Sequence, residues 1–400
     1  MKILLADFHK FVHYSGGIEH VLSDMADALH AKGYTVYAAF SDPEEGDPFF
    51  PMNPDIPMYN LYHLPWGHSA EPSALLKLLR EAVRPFSEKT ARSISEKRLS
   101  DSLCRPVRML LEKTVPDVII SFREPTGKIL LSDVKTKIPV ISMFHNDPEE
   151  ILAHAPQAEK EALLQSAAIQ VLLPSFIPRA RSYLKYDHFT AIPNAVRQSG
   201  FQADPGQERE VHRIACVGRL TGSTKRQHIL ISSFSGLVHD FPDWQTDLWG
   251  SGDDLAYAAA LKAMIARDSL GEKVHLCGVT SHMKEVWENT DIFACPSHHE
   301  GFPLALTEAM GAGIPAVGFR SCPAVNELIR SGENGLLCED GEEAFREALR
   351  ALMEDPEKRR KMGEQARKDM EAYRPELIWK QWASLIENTA SGIRMKGDRQ

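Results

Sequence analysis

The chain has 400 residues, 43% of them hydrophobic and 25% charged, an ordinary globular composition with length enough for two domains. A net charge of −9 excludes an overall basic field for nucleic acid, and six cysteines with no Cys-x-x-Cys pair indicate neither a disulfide framework nor a zinc site. Mean hydropathy is −0.28, and no apolar run reaches the length of a membrane span.

At the amino end, Ile3 to Ala6 reads as a strand rather than a signal-peptide core, because Asp7 follows at once; a cytoplasmic protein is expected. A loop with Gly16-Gly17 comes next, then helix periodicity from Ile18 to Lys32 that stops at Gly33. Further strands are expected at 35–40, 117–121, 139–144, 168–173 and 189–192, with 41–57 a loop rich in Pro, Asp and Glu. The polar, turn-rich stretch 193–206 reads as the linker. After it a second series of strands is expected at 213–218, 246–249, 273–277, 291–295, 315–318 and 335–338, and helices at 341–353, 356–373 and 376–390. Cys216, Cys277 and Cys295 fall in these strands, where buried thiols behave as small hydrophobes. The alternation predicts two α/β domains with parallel sheets and helices on both faces, whose ligands bind beyond the carboxyl ends of the strands.

The most informative string is PSHHEGFPLALTEAMGAGIPAVG, from Pro296 to Gly318. Glu300 is expected in a loop at the top of a strand and Glu308 in the first turns of the following helix. The amides of Gly301, Phe302 and Leu304, around Pro303, then lie at a helix amino end, where unpaired donors and the dipole favour an anion or a polar ligand. Two carboxylates around such a nest suit a phosphorylated sugar, because a carboxylate accepts hydroxyl protons well. An acidic helix start stabilised by the dipole is the structural reading of either Glu alone. Gly218-Arg219-Leu220 follows another strand, with Lys225 six positions after Arg219. Fixed cations just past a strand end could stabilise an anionic ligand, and alone a loop Arg and Lys are usually solvated. Arg226 adjoins Lys225, so the pattern leaves open which of the two serves.

Together these motifs resemble retaining, two-domain nucleotide-sugar glycosyltransferases of family 4, also called group 1, with the GT-B fold. The resemblance is strong from Ile214 to Cys338 and weak from Asp42 to Pro116. It implies two Rossmann-like domains facing across a cleft: an acceptor-binding domain over 1–195, a nucleotide-sugar donor domain over 206–375, and a terminal helix, 376–400, crossing back. It implies that Glu300 meets the donor sugar, Glu308 the ribose, and Arg219 and Lys225 the diphosphate. It implies further that Gly16-Gly17 faces the donor phosphate and that His145, after the strand at 139–144, lies near the transferred sugar. Gly250 and Gly252, in the turn after Trp249, and Gly278, after the next strand, would approach the nucleotide.

The activity so implied moves a hexose from a nucleotide-diphosphate sugar, with UDP favoured, to a growing cell-surface polysaccharide or lipid-linked glycan, with retained configuration. No Asp-x-Asp pair occurs, so no metal and no cofactor is expected. NAD binding is disfavoured because Leu255 replaces the third glycine of the fingerprint and no acidic residue follows Gly278. The other readings are an inactive partner subunit of a transferase complex and a sugar-nucleotide epimerase or hydrolase of the same fold. From Lys77 to Lys113, ten Lys and Arg stand against five Asp and Glu, with Leu75, Leu76, Leu78 and Leu79 beside them. A solvated helix face is the first reading of that stretch, and a peripheral site on an anionic membrane the second.

Overall fold

The computed structural model of the chain describes residues 1–64, 74–198, 200–252 and 254–392. It divides into two units, Met1–Pro193 together with Ile378–Gln400, and Asn194–Leu377.

The first unit holds β1 (Lys2–Asp7), α1 (Gly17–Ala31), β2 (Thr35–Phe40), β3 (Met58–Asn60), α2 (Ala74–Val83), α3 (Glu88–Thr114), β4 (Val118–Ser121), α4 (Glu124–Lys128), β5 (Val140–Met143), α5 (Pro148–His154), α6 (Gln157–Leu163), β6 (Ala168–Val171), α7 (Phe176–Tyr183) and β7 (Phe189–Ala191). The strands form one parallel sheet in the order β3-β2-β1-β4-β5-β6-β7. Val118 to Ser121 and Val140 to Met143 are buried throughout, as apolar runs covered on both faces must be. The second half of α3 presents Leu103, Val107 and Leu110, three and four residues apart, to a core with Leu4, Ala6 and Ile119. α1 ends where Gly33 takes φ +87°, the left-handed turn that the sequence placed there. β3 was not expected; it is a three-residue edge strand, too short to carry a period.

The second unit holds β8 (His212–Val217), α8 (Gln227–Ser235), β9 (Trp244–Trp249), α9 (Leu255–Arg267), β10 (Val274–Gly278), α10 (Met283–Glu288), β11 (Ile292–Cys295), α11 (Leu304–Gly311), β12 (Ala316–Phe319), α12 (Val325–Leu328), β13 (Gly335–Cys338), α13 (Glu342–Met353) and α14 (Pro356–Met370). Its parallel sheet runs β10-β9-β8-β11-β12-β13. The strand at 273–277 was expected to bury Cys277; β10 lies at the sheet edge, and Cys277 is half-buried. Asp254 caps α9 through the amide of Tyr257, and Asp355 caps α14 through that of Lys358.

The stretch read as a linker packs with the second unit. The Val196 amide donates to Tyr373 O, the Ala203 amide to Ala312 O, and Arg359 Nε to Pro205 O. The last helix, α15 (Pro375–Ala390), belongs with the first unit from Ile378 onward, and the Tyr34 hydroxyl donates to its Glu387 at 2.5 Å. Residues 393–400 of the helix expected at 376–400 lie outside the described residues.

Each sheet reverses its winding once, between β1 and β4 in the first unit and between β8 and β11 in the second. In open α/β sheets a crevice opens at the carboxyl ends of two such strands, and ligands bind there.

Candidate functional site

In the second unit the chain leaves β8 at Gly218 and reaches α8 nine residues later. The side chain of Gln227, 1% exposed, holds the loop between: its Nε2 donates to Arg219 O at 2.9 Å, and its Oε1 accepts from the Thr221 amide at 3.4 Å. Sequence reading missed Gln227, since nothing marks a glutamine at a helix start as a loop clamp. Arg219 stands exposed directly past the strand end.

Lys225 reaches across the winding reversal. Its Nζ donates to Glu300 Oε1, in the loop after β11, at 2.5 Å. Burial pulls the Lys225 pKa down, but the Glu300 carboxylate outweighs it, and the net direction is up from the ordinary lysine value. The lysine therefore stays charged at physiological pH. Arg226 turns elsewhere. It adopts φ +50°, donates to Pro296 O at 3.0 Å and to Asp340 Oδ1 at 3.0 Å, and lies 4.8 Å over the Phe319 ring. Of the two adjacent cations, Lys225 is the one aimed at the crevice, and Arg226 ties the loop to the ends of β11, β12 and β13.

Gly301 and Phe302 precede Pro303, which caps α11, and Leu304 opens the helix. The Phe302 ring is fixed edge-on against Tyr373, with centroids 5.3 Å apart. Glu308 lies one turn after Leu304 on the same half-buried face. The first-turn amides have no intrahelical acceptor, and Glu300 lies four residues before the helix. His298 and His299 precede Glu300; the His298 amide donates to Thr224 O at 2.8 Å, and His299 Nδ1 is buried with no hydrogen-bond partner.

The glycine-bearing ends of β8, β9 and β10 are laced by backbone hydrogen bonds, Gly218 to Trp249 O and Gly250 to Gly278 O, each at 2.8 Å. At Gly250, φ is +150° and an added Cβ would lie 2.0 Å from Gly218 O, so only glycine fits. Gly278 takes φ +73° in open space, and Gly252 lies beside Ala258 and Leu220.

The other expected residues lie in the first unit. Gly16 is buried at the start of α1, and Gly17 is exposed. The space a Gly16 Cβ would take is filled by the Glu19 carboxylate, 2.1 Å away. His145 follows β5, with its ring stacked on Phe122 at 5.5 Å and 15°. Burial and the nearby Arg123 push its pKa down to about 3, so the imidazole is neutral, and its Nε2 is buried without a partner. Among the described residues no three His, Cys, Asp or Glu side chains gather in a group that could hold a metal ion. A cavity of about 540 Å³ in the first unit, lined by Pro139, Ala167, His188 and Leu385, opens at the amino ends of β5, β6 and β7, the edge opposite the crevice.

Residues 201–369 match the family model for glycosyl transferases group 1. That segment of the chain is similar to group 1 glycosyl transferases. Over 377 residues the chain is 25% identical to an uncharacterized glycosyltransferase of Haemophilus influenzae, covering 93% of this chain and 96% of that one. It is 31% identical over 245 residues to an exopolysaccharide phosphotransferase of Streptomyces coelicolor, covering 61% of this chain and a quarter (25%) of that protein's length. Its fold matches S. aureus TarM, solved with fondaparinux, alpha-GlcNAc-glycerol and UDP, with a TM-score of 0.77 at 15% identity over 96% of this chain and 99% of that one. The fold is therefore GT-B and the enzyme class glycosyltransferase. In this glycosyltransferase the loop after β8 and the loop after β11 meet through the Lys225–Glu300 pair.

Proposed function

We propose that this glycosyltransferase is a retaining enzyme of family 4 that moves a hexose from a UDP-sugar to a hydroxyl of a growing cell-surface polysaccharide or lipid-linked glycan. The observation that carries this reading is the contact of Lys225 Nζ with Glu300 Oε1 beside the amino end of α11. One ammonium and one carboxylate there offer a diphosphate its counter-charge and a sugar its hydroxyl acceptor. Arg219 and Lys225 stabilise the departing diphosphate in place of a metal, Glu300 orients the sugar, and Glu308 takes the ribose hydroxyls. The backbone around Gly218, Gly250, Gly252 and Gly278 gives the nucleotide close approach. The acceptor oxygen bonds to C1 on the face from which the diphosphate oxygen leaves, and its proton passes to that oxygen. His145, neutral and stacked, offers a hydrogen bond to the sugar and no acid at neutral pH. The UDP bound to TarM, a protein of the same fold, supports the nucleotide, and the exopolysaccharide relative supports the acceptor class. A partner subunit or a donor-only hydrolase has no need of this pair together with an acceptor domain.

The test is a thermal-shift panel of nucleotide sugars on the wild type and on Glu308→Ala. One UDP-sugar at 100 times its Kd should stabilise by about 2.7 kcal/mol, raising the melting point by several degrees, and the mutant should lose the rise. A rise with NAD(H) alone would overturn the reading.

We also propose a cytoplasmic enzyme resting on an anionic membrane through α2. No helix among the described residues is long and apolar enough to cross a membrane. Leu75 and Leu78 are 77% and 69% exposed on α2, Phe86 just after it is 89% exposed, and Arg80 and Arg84 lie alongside. The basic side chains of Lys77, Lys89, Arg92, Lys97 and Arg98 fall outside the described residues. Leu75→Asp with Leu78→Asp should abolish co-sedimentation with phosphatidylglycerol vesicles at low salt while leaving nucleotide binding unchanged. Equal sedimentation of wild type and variant, or none of either, would exclude this surface.

A further inference from the structure

The crevice of the first unit, between β1 and β4, is closed by three charged groups. Arg123 follows β4, and its Nε donates to Asp7 Oδ1 at 2.8 Å and Oδ2 at 3.1 Å. Its second arm, Nη2, donates to Glu19 Oε1 at 2.6 Å. Asp7 ends β1 and has 0% side-chain exposure; Glu19, in the first turn of α1, has 2%. Two buried carboxylates on one guanidinium make a costly arrangement unless the geometry fixes something. Glu19 Oε2 occupies the Cβ space of Gly16, and Phe122, the residue before Arg123, stacks on His145. One arm of the fork thus holds the carboxylate that fills the space beside Gly16, and its charge is felt at the His145 ring, two elements far apart in sequence.

We propose that Arg123 is a positioning residue for glycosyl transfer: its two-armed clamp on Asp7 and Glu19 sets the Gly16-Gly17 turn and the His145 ring in one fixed arrangement. The planar fork is what the role requires, since a lysine ammonium cannot hold two carboxylates in defined directions. The charged groups that act on Glu19 are Arg123 and Asp7; the fork they form with it is flanked by His9 beside Asp7, with Lys10 next to it, and by Glu124 and His145 beside Arg123. Burial raises Glu19 to about 7 against the opposing pull of Arg123, so its proton comes and goes in the neutral range. Only the consequence for turnover rests on the transferase reading; the positions of the turn and the ring can be followed without a donor.

The experiment labels histidine and glycine in the full chain with ¹³C and ¹⁵N and follows the His145 ring and the Gly16 and Gly17 amides by NMR across pH. Arg123→Gln should displace all three signals and raise the His145 ionisation by about one unit, since a neighbouring cation is gone. Glu19→Gln should abolish an amide titration centred near pH 7. Arg123→Lys should keep the His145 ionisation low yet still displace the glycine amides, and it carries the test if Arg123→Gln does not fold. In the transfer assay Arg123→Gln should lower kcat more than tenfold with donor KM unchanged. Unmoved Gly16, Gly17 and His145 signals in a variant that merely melts earlier would overturn the proposal. UDP titration of the wild type, run alongside, reports separately on the donor reading.

Discussion

Glu300→Gln is expected to lower transfer by about 10²–10³-fold while leaving UDP binding in place. The amide keeps the shape of the side chain and removes the charge that holds Lys225 Nζ at 2.5 Å. Two effects then separate. The sugar loses an acceptor aimed at its hydroxyls, which lowers turnover. The Lys225 ammonium keeps at most a neutral acceptor there and its charge is freed for the diphosphate, which holds or strengthens UDP affinity. A ground-state binding role for Glu300 would predict the opposite, with KM rising and kcat kept. Stability should fall as well, by about 1–3 kcal/mol, toward the low end because the Lys225 side chain is 27% exposed. The pH dependence has a definite sign. The folded pKa of Lys225 is raised, so the stabilisation is complete below the ordinary value and is lost only as pH climbs through the folded one. No lysine limb should therefore appear in the wild-type profile at physiological pH. Steady-state kinetics across pH, calorimetric UDP titration and thermal unfolding of wild type and variant check these statements.

Gly250→Val should be the most destabilising single change in the glycine-laced strand ends. A Cβ at this position would lie 2.0 Å from Gly218 O and 2.6 Å from its carbon, and φ is +150°. Backbone cannot move aside as a flexible side chain does, and the displaced atoms belong to the loop that carries Arg219. The cost is expected to be about 3 kcal/mol or more, a drop in melting temperature of roughly 6–12 °C. Gly252→Ala is the control. Its Cβ would meet Ala258 Cβ at 3.3 Å and Leu220 Cδ1 at 3.8 Å, both side chains, and the cost should stay below about 1 kcal/mol. Equal melting temperatures for the two variants would show that the close approach at Gly250 relaxes without cost.

The second unit was legible because its buried parallel strands are short apolar runs ending at Gly, Pro or Ser, and the candidate site was read from those punctuated ends. Spacing to a strand or a helix start placed Glu300, Glu308 and Lys225, and the family resemblance singled them out. The choice between Lys225 and Arg226 could not, since both follow the same strand and only the left-handed backbone at Arg226 sends its side chain toward Pro296 and Asp340. Arg123, Asp7 and Glu19 escaped for a different reason. Arg123 stands 116 residues from Asp7 and 104 from Glu19, and no local pattern records a contact of that span. A glutamate three residues after Gly16 and an arginine two residues past a buried strand were the only hints. β3 escaped because three half-buried residues at a sheet edge carry no alternation to detect.

The membership of Ile378 onward in the first unit has a consequence for biosynthesis. On the ribosome, the 1–193 segment emerges first yet lacks the helix whose Leu385 lines its cavity and whose Glu387 receives Tyr34. At 5–20 residues per second the missing piece arrives roughly 10–40 s later. The Asn194–Leu377 unit is continuous in the chain and can complete its fold in that interval. The amino-terminal half thus begins first and finishes last, which makes it the half that chaperones must shelter and the half that a premature stop codon leaves unfinished.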